Sequence, residues 1–515
     1  MVAGKFSEKA STPAPASRVP VRTAIASRLI ALLSIFMNNG SSVDNVVKAL
    51  KGDLDRYSPG EKLPSSRALV ERFGVSPVTV SRALAVLAAQ GLVRTRPGSG
   101  AFRAPVEPRT PNPPDTSWQE VSLSAEQAAT AAEHGERTVD ASSVLATLAV
   151  PAPDVIAMNS GYLYSGLQPE RELASALARA GRRPNAWTSP PIEGVEELRA
   201  WFARQIGGAV RAADVLITAG GQSALTTALR ALTAPGAPVL VESPTYPGML
   251  AVARACGARP VPVPVGVDGL RTDLLEKAFR ATGARLLVCQ PLFHNPTGTV
   301  LSQKGRAEVL HIARSAGAFV LEDDFARHLA HADAAPVPAP LAADDPDGTV
   351  VHVRSLTKAT SPSLRVAALT ARGPVMERLR AIQVVENFFV PRPLQEAAAE
   401  LVAAPGWGRH LRTVARGLHE RRRAMVAALA AEVPELSLAR VPVGGLHLWL
   451  RLPEGTDDTG LVAAALRAGV AIAPGRFYFP AEAPAPHVRL SFAATAGTTE
   501  IAEGVRRLRS ALDRY

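Results

Sequence analysis

The chemistry of this chain starts from a lysine set among small hydroxyls. In the stretch SLTKATSPSLR, residues 355–365, Ser355 and Thr357 precede Lys358, and Arg365 follows two helical turns on. A lysine amine condenses with an aldehyde to a Schiff base. Hydroxyls and a guanidinium fork hold a phosphate. An aldehyde that also carries a phosphate is pyridoxal phosphate (PLP), and this stretch has the groups to take it. Alone the signal is modest, because most lysines are solvated surface residues.

Upstream segments add weight. In ITAGGQSALTTAL, two glycines and a glutamine, with Gly221 and Gln222 foremost, open a helix after a strand. Backbone N–H groups and the helix dipole there face an anion, although many such Gly-Gly pairs are only tight turns. In VESPTYPG, Tyr246 can stack on a heteroaromatic ring or be a half-buried core tyrosine. In PLFHNPTG, Asn295 stands in a Pro-bounded loop after LLVCQ and can donate to a phenolic oxygen; Asn-Pro also starts turns that have no function. In VLEDDF, Asp323 ends a strand, where a carboxylate can keep a pyridine nitrogen protonated or simply cap a helix.

These groups need a scaffold that brings strand ends together. From about residue 151, apolar β-branched runs alternate with Ala/Leu-rich helical patterns, which predicts an α/β domain with a mostly parallel sheet. The runs at 215–218, 239–242, 286–289, 319–322, 350–353 and 366–369 read as strands. Function is expected at their C-terminal ends.

The series resembles the fold-type I PLP enzymes, the aspartate aminotransferase superfamily, over residues 158–515. That resemblance implies phosphate held by Gly221, Gln222, Ser355 and Arg365, and ring stacking by Tyr246. It gives Asn295 the ring oxygen, Asp323 the ring nitrogen and Lys358 the covalent link. In HVRLSFA it places Arg489 at the α-carboxylate of an amino-acid ligand, a bidentate task, and GGLHLWL leads a small C-terminal subdomain. Two positions depart from the pattern. Phe325 stands where the superfamily usually has a tyrosine hydroxyl on the ring oxygen, and Trp187 where a tyrosine often reaches the partner's phosphate. Both count against efficient transamination more than against PLP binding.

Charge points to a second activity. Residues 1–110 hold 16 Lys+Arg against 7 Asp+Glu, and the remaining 405 hold 41 against 39. The basic excess is therefore N-terminal, as expected of a part that meets a polyanion. Val43, Val46, Val47, Leu50 and Leu54 lie at helical spacing. Ser65 or Ser66 can cap a helix running to Phe73, and Gly74 stops it. Ser76 and Pro77 start a second helix, with Val80, Leu84 and Leu87 on one face and Ser76, Thr79 and Arg82 on another. LVRTRPGSGAFRA follows as two short strands, with Arg94, Arg96 and Arg103 available to phosphates or the minor groove. This is a winged helix-turn-helix plan, whose second helix enters the major groove of double-stranded DNA.

The stretch YSPGEKLPSSRALVERFGVSPVTVSRALAVLAAQGLVRTRPGSGAF resembles the GntR family of bacterial regulators. The resemblance implies DNA-facing positions at Arg67, Ser76, Thr79, Ser81, Arg82, Gly98 and Gly100. Pro77 replaces an arginine usual in the family and removes one contact. A GntR-type winged helix, a linker and a PLP domain in one chain resemble the MocR subfamily of transcriptional regulators. That implies a head-to-tail homodimer on operator DNA, with PLP and an amino-acid or amine effector setting operator binding.

The expected organisation is multi-domain. It comprises an N-terminal extension at 1–41, an α+β winged helix at 42–104, a linker at 105–150, and an α/β fold-type I PLP-dependent transferase-like domain with a small C-terminal α+β subdomain at 151–515. Prolines 105, 108, 111, 113 and 114 stiffen the linker. Residues 21–38 and 119–135 read as helical. Cys256 and Cys289 lie in apolar surroundings and read as buried thiols of a reducing compartment, with no metal or disulfide framework. The apolar run at 29–37 is too short to span a bilayer, so a cytoplasmic protein is expected. A true aminotransferase carrying a winged helix for autoregulation is the competing reading.

Overall fold

The computed structural model describes residues 42–96, 98–104, 137–149 and 151–515. The helices expected at 21–38 and 119–135 lie outside these residues. The chain divides into two units after Thr116.

In the first unit, helix α1 (Ser42–Asp53) buries Val46 and Leu50. Helix α2 (Ser66–Phe73) begins at Ser65, whose hydroxyl accepts from the Ala68 N–H. It ends at Gly74 in the left-handed region, where a Cβ would be strained. Helix α3 (Pro77–Ala89) is capped by Ser76, whose hydroxyl accepts from the Thr79 N–H. Pro77 occupies the first helical position, where its missing N–H costs nothing. Strands β1 (Val93–Arg96) and β2 (Gly100–Arg103) pair antiparallel with Arg96 opposite Gly100. Leu69, Val80, Ala83, Leu87 and Val93 form the centre of one small core.

The second unit is built on an eight-stranded mixed sheet. Its strands are β4 (Val215–Thr218), β5 (Pro238–Ser243), β6 (Arg259–Gly266), β7 (Gly269–Leu270), β8 (Leu286–Cys289), β9 (Phe319–Asp323), β10 (Val350–Ser355) and β11 (Ala367–Thr370). Their order is β4-β11-β10-β9-β8-β5-β6-β7. The central pairs from β6 to β10 are parallel, while β11 runs antiparallel to both neighbours. Near-continuous apolar runs fit strands covered on both faces. Val239 and Val241 face one core and Leu240 the other; Leu286 and Val288 alternate with Leu287 in the same way.

A smaller antiparallel sheet carries β12 (Ser437–Leu438), β13 (His447–Arg451), β15 (Ala473–Pro474) and β16 (His487–Ser491). Near it β3 (Ile156–Ala157) pairs in parallel with β14 (Val470–Ala471). The long helix Gly406–Glu432 and the last helix, Thr498–Leu512, supply Val414, Leu418, Ile501 and Val505 to the core under Leu448 and Leu490. Residues 137–149 pack on this second unit through helix α4 (Ser142–Leu148). Among the described residues no helix is long and apolar enough to cross a membrane.

Candidate functional site

The C-terminal ends of the parallel strands converge on one cavity. Gly221, Gln222, Tyr246, Asn295, Asp323, Ser355, Lys358, Arg365 and Arg489 all line it. Gly221 and Gln222 follow β4, Tyr246 follows β5, Asn295 follows β8 and Asp323 ends β9; Ser355, Lys358 and Arg365 come from the end of β10 and the loop after it, and Arg489 from the middle of β16. All nine were expected from the sequence.

One end of the cavity has groups suited to a phosphate. β4 leads into helix α5 (Gly221–Leu232), whose first N–H groups lack helical partners. Gly220 has a φ of 90°, and a Cβ there would stand 2.6 Å from Arg365 Nη2. Glycine is thus required both by the backbone and by the arginine. Arg365 itself has a φ of 49°, a strained conformation for a side-chain-bearing residue. Its Nη2 donates to Ala219 O at 3.1 Å. The Thr357 hydroxyl is buried without a partner among the described residues. Ser355 Oγ accepts from the Thr357 N–H at 3.1 Å. The Gln222 side chain is engaged elsewhere: it donates to Gly248 O at 3.0 Å and accepts from the Tyr246 hydroxyl at 3.2 Å. Its backbone N–H and the second hydrogen of its Nε2 remain for an anion.

At the other end Lys358 Nζ donates to Gly161 O at 2.7 Å and lies 3.9 Å from the Tyr162 ring centroid. Loss of hydration, and then the Arg489 charge, bring the amine down to about 7. Asp323 is pushed up to about 6, chiefly by burial, against the hydrogen bond it accepts from Gln290 Nε2 at 2.7 Å. Gln290 also accepts from the Asn295 N–H at 3.0 Å, and its own N–H donates to Glu242 at 2.7 Å. One glutamine therefore orients two residues that face the cavity.

Arg489 is only 2% exposed. Its guanidinium donates to Asn159 O at 2.6 Å, to Asn295 Oδ1 at 3.3 Å and to His447 Nε2 at 3.3 Å. Among the described residues neither Arg489 nor Arg365 meets a carboxylate. Because arginine only donates, the Asn295 amide turns its oxygen to Arg489 and keeps Nδ2 as a donor. By the same logic His447 accepts at Nε2 and carries its proton on Nδ1. Burial, then Arg489, holds its imidazole well below the usual histidine range.

Phe325 lines the cavity and brings no hydroxyl to it. Trp187 does not line the cavity of its own chain and is 84% exposed. Sequence reasoning missed Gln290, His447, Tyr162, Thr147 and Leu148, all of which line the cavity. Gln290 closes the LLVCQ run and His447 sits in GGLHLWL, so both motifs were visible while the polar residues inside them passed as strand residues. Nothing in the sequence marked Thr147 and Leu148.

On the first unit, Arg67, Ser76, Ser81, Arg82, Gly98 and Gly100 are exposed and Thr79 is half-buried. Arg67, Arg82, Arg94 and Arg96 have no ion-pair partner among the described residues. Arg103, expected to reach DNA, instead pairs with Asp55 at 3.2 Å and donates to Tyr57 O, because it lies where β2 crosses the end of the preceding turn. Val78, 61% exposed on α3 between these polar residues, was not anticipated.

Fold and site define a winged helix joined to an α/β domain of the fold-type I kind. Residues 153–508 match the aminotransferase class I and II family, and residues 42–102 match the bacterial regulatory proteins of the gntR family. The chain is 30% identical over 478 residues to the HTH-type transcriptional regulator TauR of Rhodobacter capsulatus, covering 89% of this chain and 93% of TauR. It is 35% identical over 363 residues to 2-aminoadipate transaminase of Thermus thermophilus, covering 70% of this chain and 90% of that one. Among solved structures, LysN, the α-aminoadipate aminotransferase of Thermus thermophilus complexed with N-(5'-phosphopyridoxyl)-L-leucine, superposes with a TM-score of 0.69 at 32% identity. The match covers 77% of this chain and 98% of LysN. The chain belongs to the MocR-type GntR regulators, DNA-binding transcriptional regulators with an aminotransferase class I and II domain.

Proposed function

We propose that this regulator senses an amino acid or amine through PLP held in the cavity of its second unit, as a head-to-tail dimer in the cytoplasm. The observation that carries this reading is a buried Arg489, without a carboxylate partner among the described residues, in one cavity with a lysine held near 7. A buried cation is costly until an anion meets it.

The residues fit the cofactor. The N–H groups of Gly221 and Gln222, the Thr357 hydroxyl, which has no partner among the described residues, Ser355 and Arg365 suit its phosphate, and Gly220 leaves the Arg365 guanidinium its place. Tyr246 would stack on the ring, Asn295 Nδ2 would donate to the ring oxygen, and Asp323 would pair with the ring nitrogen. PLP supplies an aldehyde carbon for the lysine and an electron-withdrawing ring. Lys358, largely neutral above pH 7, would be the amine that holds the aldehyde and could serve as a general base. Arg489 binds the effector carboxylate with two N–H groups. Phe325 leaves Asn295 as the one side-chain donor to the ring oxygen, which favours binding and signalling over turnover.

The winged helices of the two protomers address two half-sites, with Arg67, Ser76, Thr79, Ser81, Arg82 and the wing glycines Gly98 and Gly100 on the DNA. Val78 offers an apolar contact of the kind that reads a thymine methyl. The competing reading, a transaminase, is favoured by the neutral lysine and by the likeness to 2-aminoadipate transaminase. Turnover of any amino acid at about 1–1000 per second would establish it.

The test is optical and chemical. The purified protein should absorb in the visible, and borohydride should fix a phosphopyridoxyl group on Lys358, located by peptide mass. A colourless protein that takes up no PLP would defeat the reading.

A further inference from the structure

Thr147 and Leu148 line the cavity, yet they belong to the segment that leads in from the DNA-binding part of the chain. Residues 137–149 form a strap held at several points. The Thr138 N–H donates to Arg254 O at 3.3 Å, on helix α6 (Pro247–Ala255), which begins just after Tyr246. Asp140 accepts from the Ser142 N–H at 2.8 Å and starts helix α4. The last carbonyls of a helix have no partner within it. Here Asn159 Nδ2 donates to Ala146 O at 3.0 Å and lies 3.5 Å from Ala149 O.

The same residue meets Arg489. Asn159 O accepts from Arg489 Nη2 at 2.6 Å, the shortest of the bonds that hold the guanidinium. Asn159 is 4% exposed, and its Oδ1 is buried without a partner among the described residues. Its backbone cannot drift independently, because Met158 beside it is bonded on both sides, to Ala471 O and to the Ser491 N–H. Asn159 thus touches both the uncompensated charge and the end of the strap.

We propose that Asn159 is a positioning residue that couples occupancy of Arg489 to docking of the strap 137–149. The proposal rests on the reading of this cavity as a PLP site whose ligand carboxylate reaches Arg489. A carboxylate there shares the guanidinium hydrogen bonds and fixes its position against Asn159 O. The Asn159 amide then holds the end of α4 while Thr147 and Leu148 close on the ligand. Coupling of this kind is reciprocal: the factor by which the ligand stabilises the docked strap is the factor by which docking strengthens the ligand.

The experiment is hydrogen–deuterium exchange on the full-length, PLP-loaded protein with and without L-alanine, with the visible spectrum read on the same samples. Asn159→Ala removes the side chain, and Asn159→Asp keeps its volume but loses the donor hydrogens. Both should retain the cofactor band. Both should speed exchange at the Leu145 and Ala149 amides, which close α4 by donating to Ala141 O and Leu145 O. The expected factor is about tenfold, the effect of one or two net hydrogen bonds. In wild type L-alanine should protect these amides. In the variants the protection that L-alanine adds should be lost, and its affinity, read from the cofactor band, should fall. Strap amides that loosen while L-alanine affinity stays at the wild-type value would make Asn159 merely structural and overturn the proposal. A band perturbed by L-alanine with unmoved strap amides would overturn the coupling and leave the PLP reading standing; absence of any band in wild type would overturn both.

Discussion

Lys358 should capture PLP at neutral pH with about half of its amines already unprotonated. Its amine sits at about 7, first because the surrounding protein strips its hydration and then because Arg489 and Arg365 repel a second positive charge, with Asp323 acting the other way. At pH 7 about half of these amines are therefore neutral. An unperturbed lysine near 10.4 would be neutral in only about one molecule in 2,500. The rate of cofactor capture, followed by stopped-flow absorbance, should rise from pH 5 and level off above pH 7. At pH 7 it should lie within about twofold of its alkaline plateau. Arg489→Met removes one of the depressing charges, so its inflection should move to higher pH. A wild-type rate that keeps climbing tenfold per pH unit to pH 10 would refute the reasoning, because it would mean an ordinary solvated lysine.

Three further outcomes are expected. Arg489→Met should weaken binding of amino acids by about thirtyfold or more, the usual cost of losing one partner of a buried charge pair, while amines without a carboxylate should bind as to wild type; titration of the cofactor band measures both. Arg67→Ala and Arg82→Ala should each weaken specific DNA binding by about 1–3 kcal/mol in electrophoretic shift assays, and a double variant that binds as wild type would contradict the assignment of α3 and its neighbour to DNA. Phe325→Tyr restores a hydroxyl to the cavity, so the spectroscopic pKa of the lysine-bound cofactor should fall; an unchanged pKa would mean that the hydroxyl cannot reach the ring oxygen.

Much of this was legible in the sequence because the informative residues follow strands or turns whose local signals are strong. Ser65, Gly74 and Ser76 mark the helix ends of the winged helix by capping chemistry alone. Gly221, Tyr246, Asn295, Asp323 and Lys358 each follow an apolar run, so strand ends and cavity residues came together. What stayed hidden depends on pairing between distant segments. His447 meets Arg489 only because β13 and β16 run side by side. Arg103 turns inward only because Asp55 waits in a distant turn. Thr147 and Leu148 lie in a segment whose composition reads as linker, and only their docking on the second unit brings them to the cavity. Gln290 was masked by the apolar strand it terminates, where a polar residue reads as a strand end rather than as an orienting group.

The state of the cavity around Lys358 should set the affinity of the winged helices for DNA. The direct measurement uses a duplex selected by the full-length protein from a random pool. Its affinity is then titrated at fixed salt, since phosphate contacts make any affinity salt-dependent. Three states are compared: cofactor-free, PLP-loaded, and PLP-loaded with an amino acid that perturbs the cofactor band. Wild type should show different affinities in these states, and Lys358→Ala a single affinity, indifferent to PLP and amino acid. Equal DNA affinity of the wild-type protein in all three states would contradict a regulator governed by this cavity.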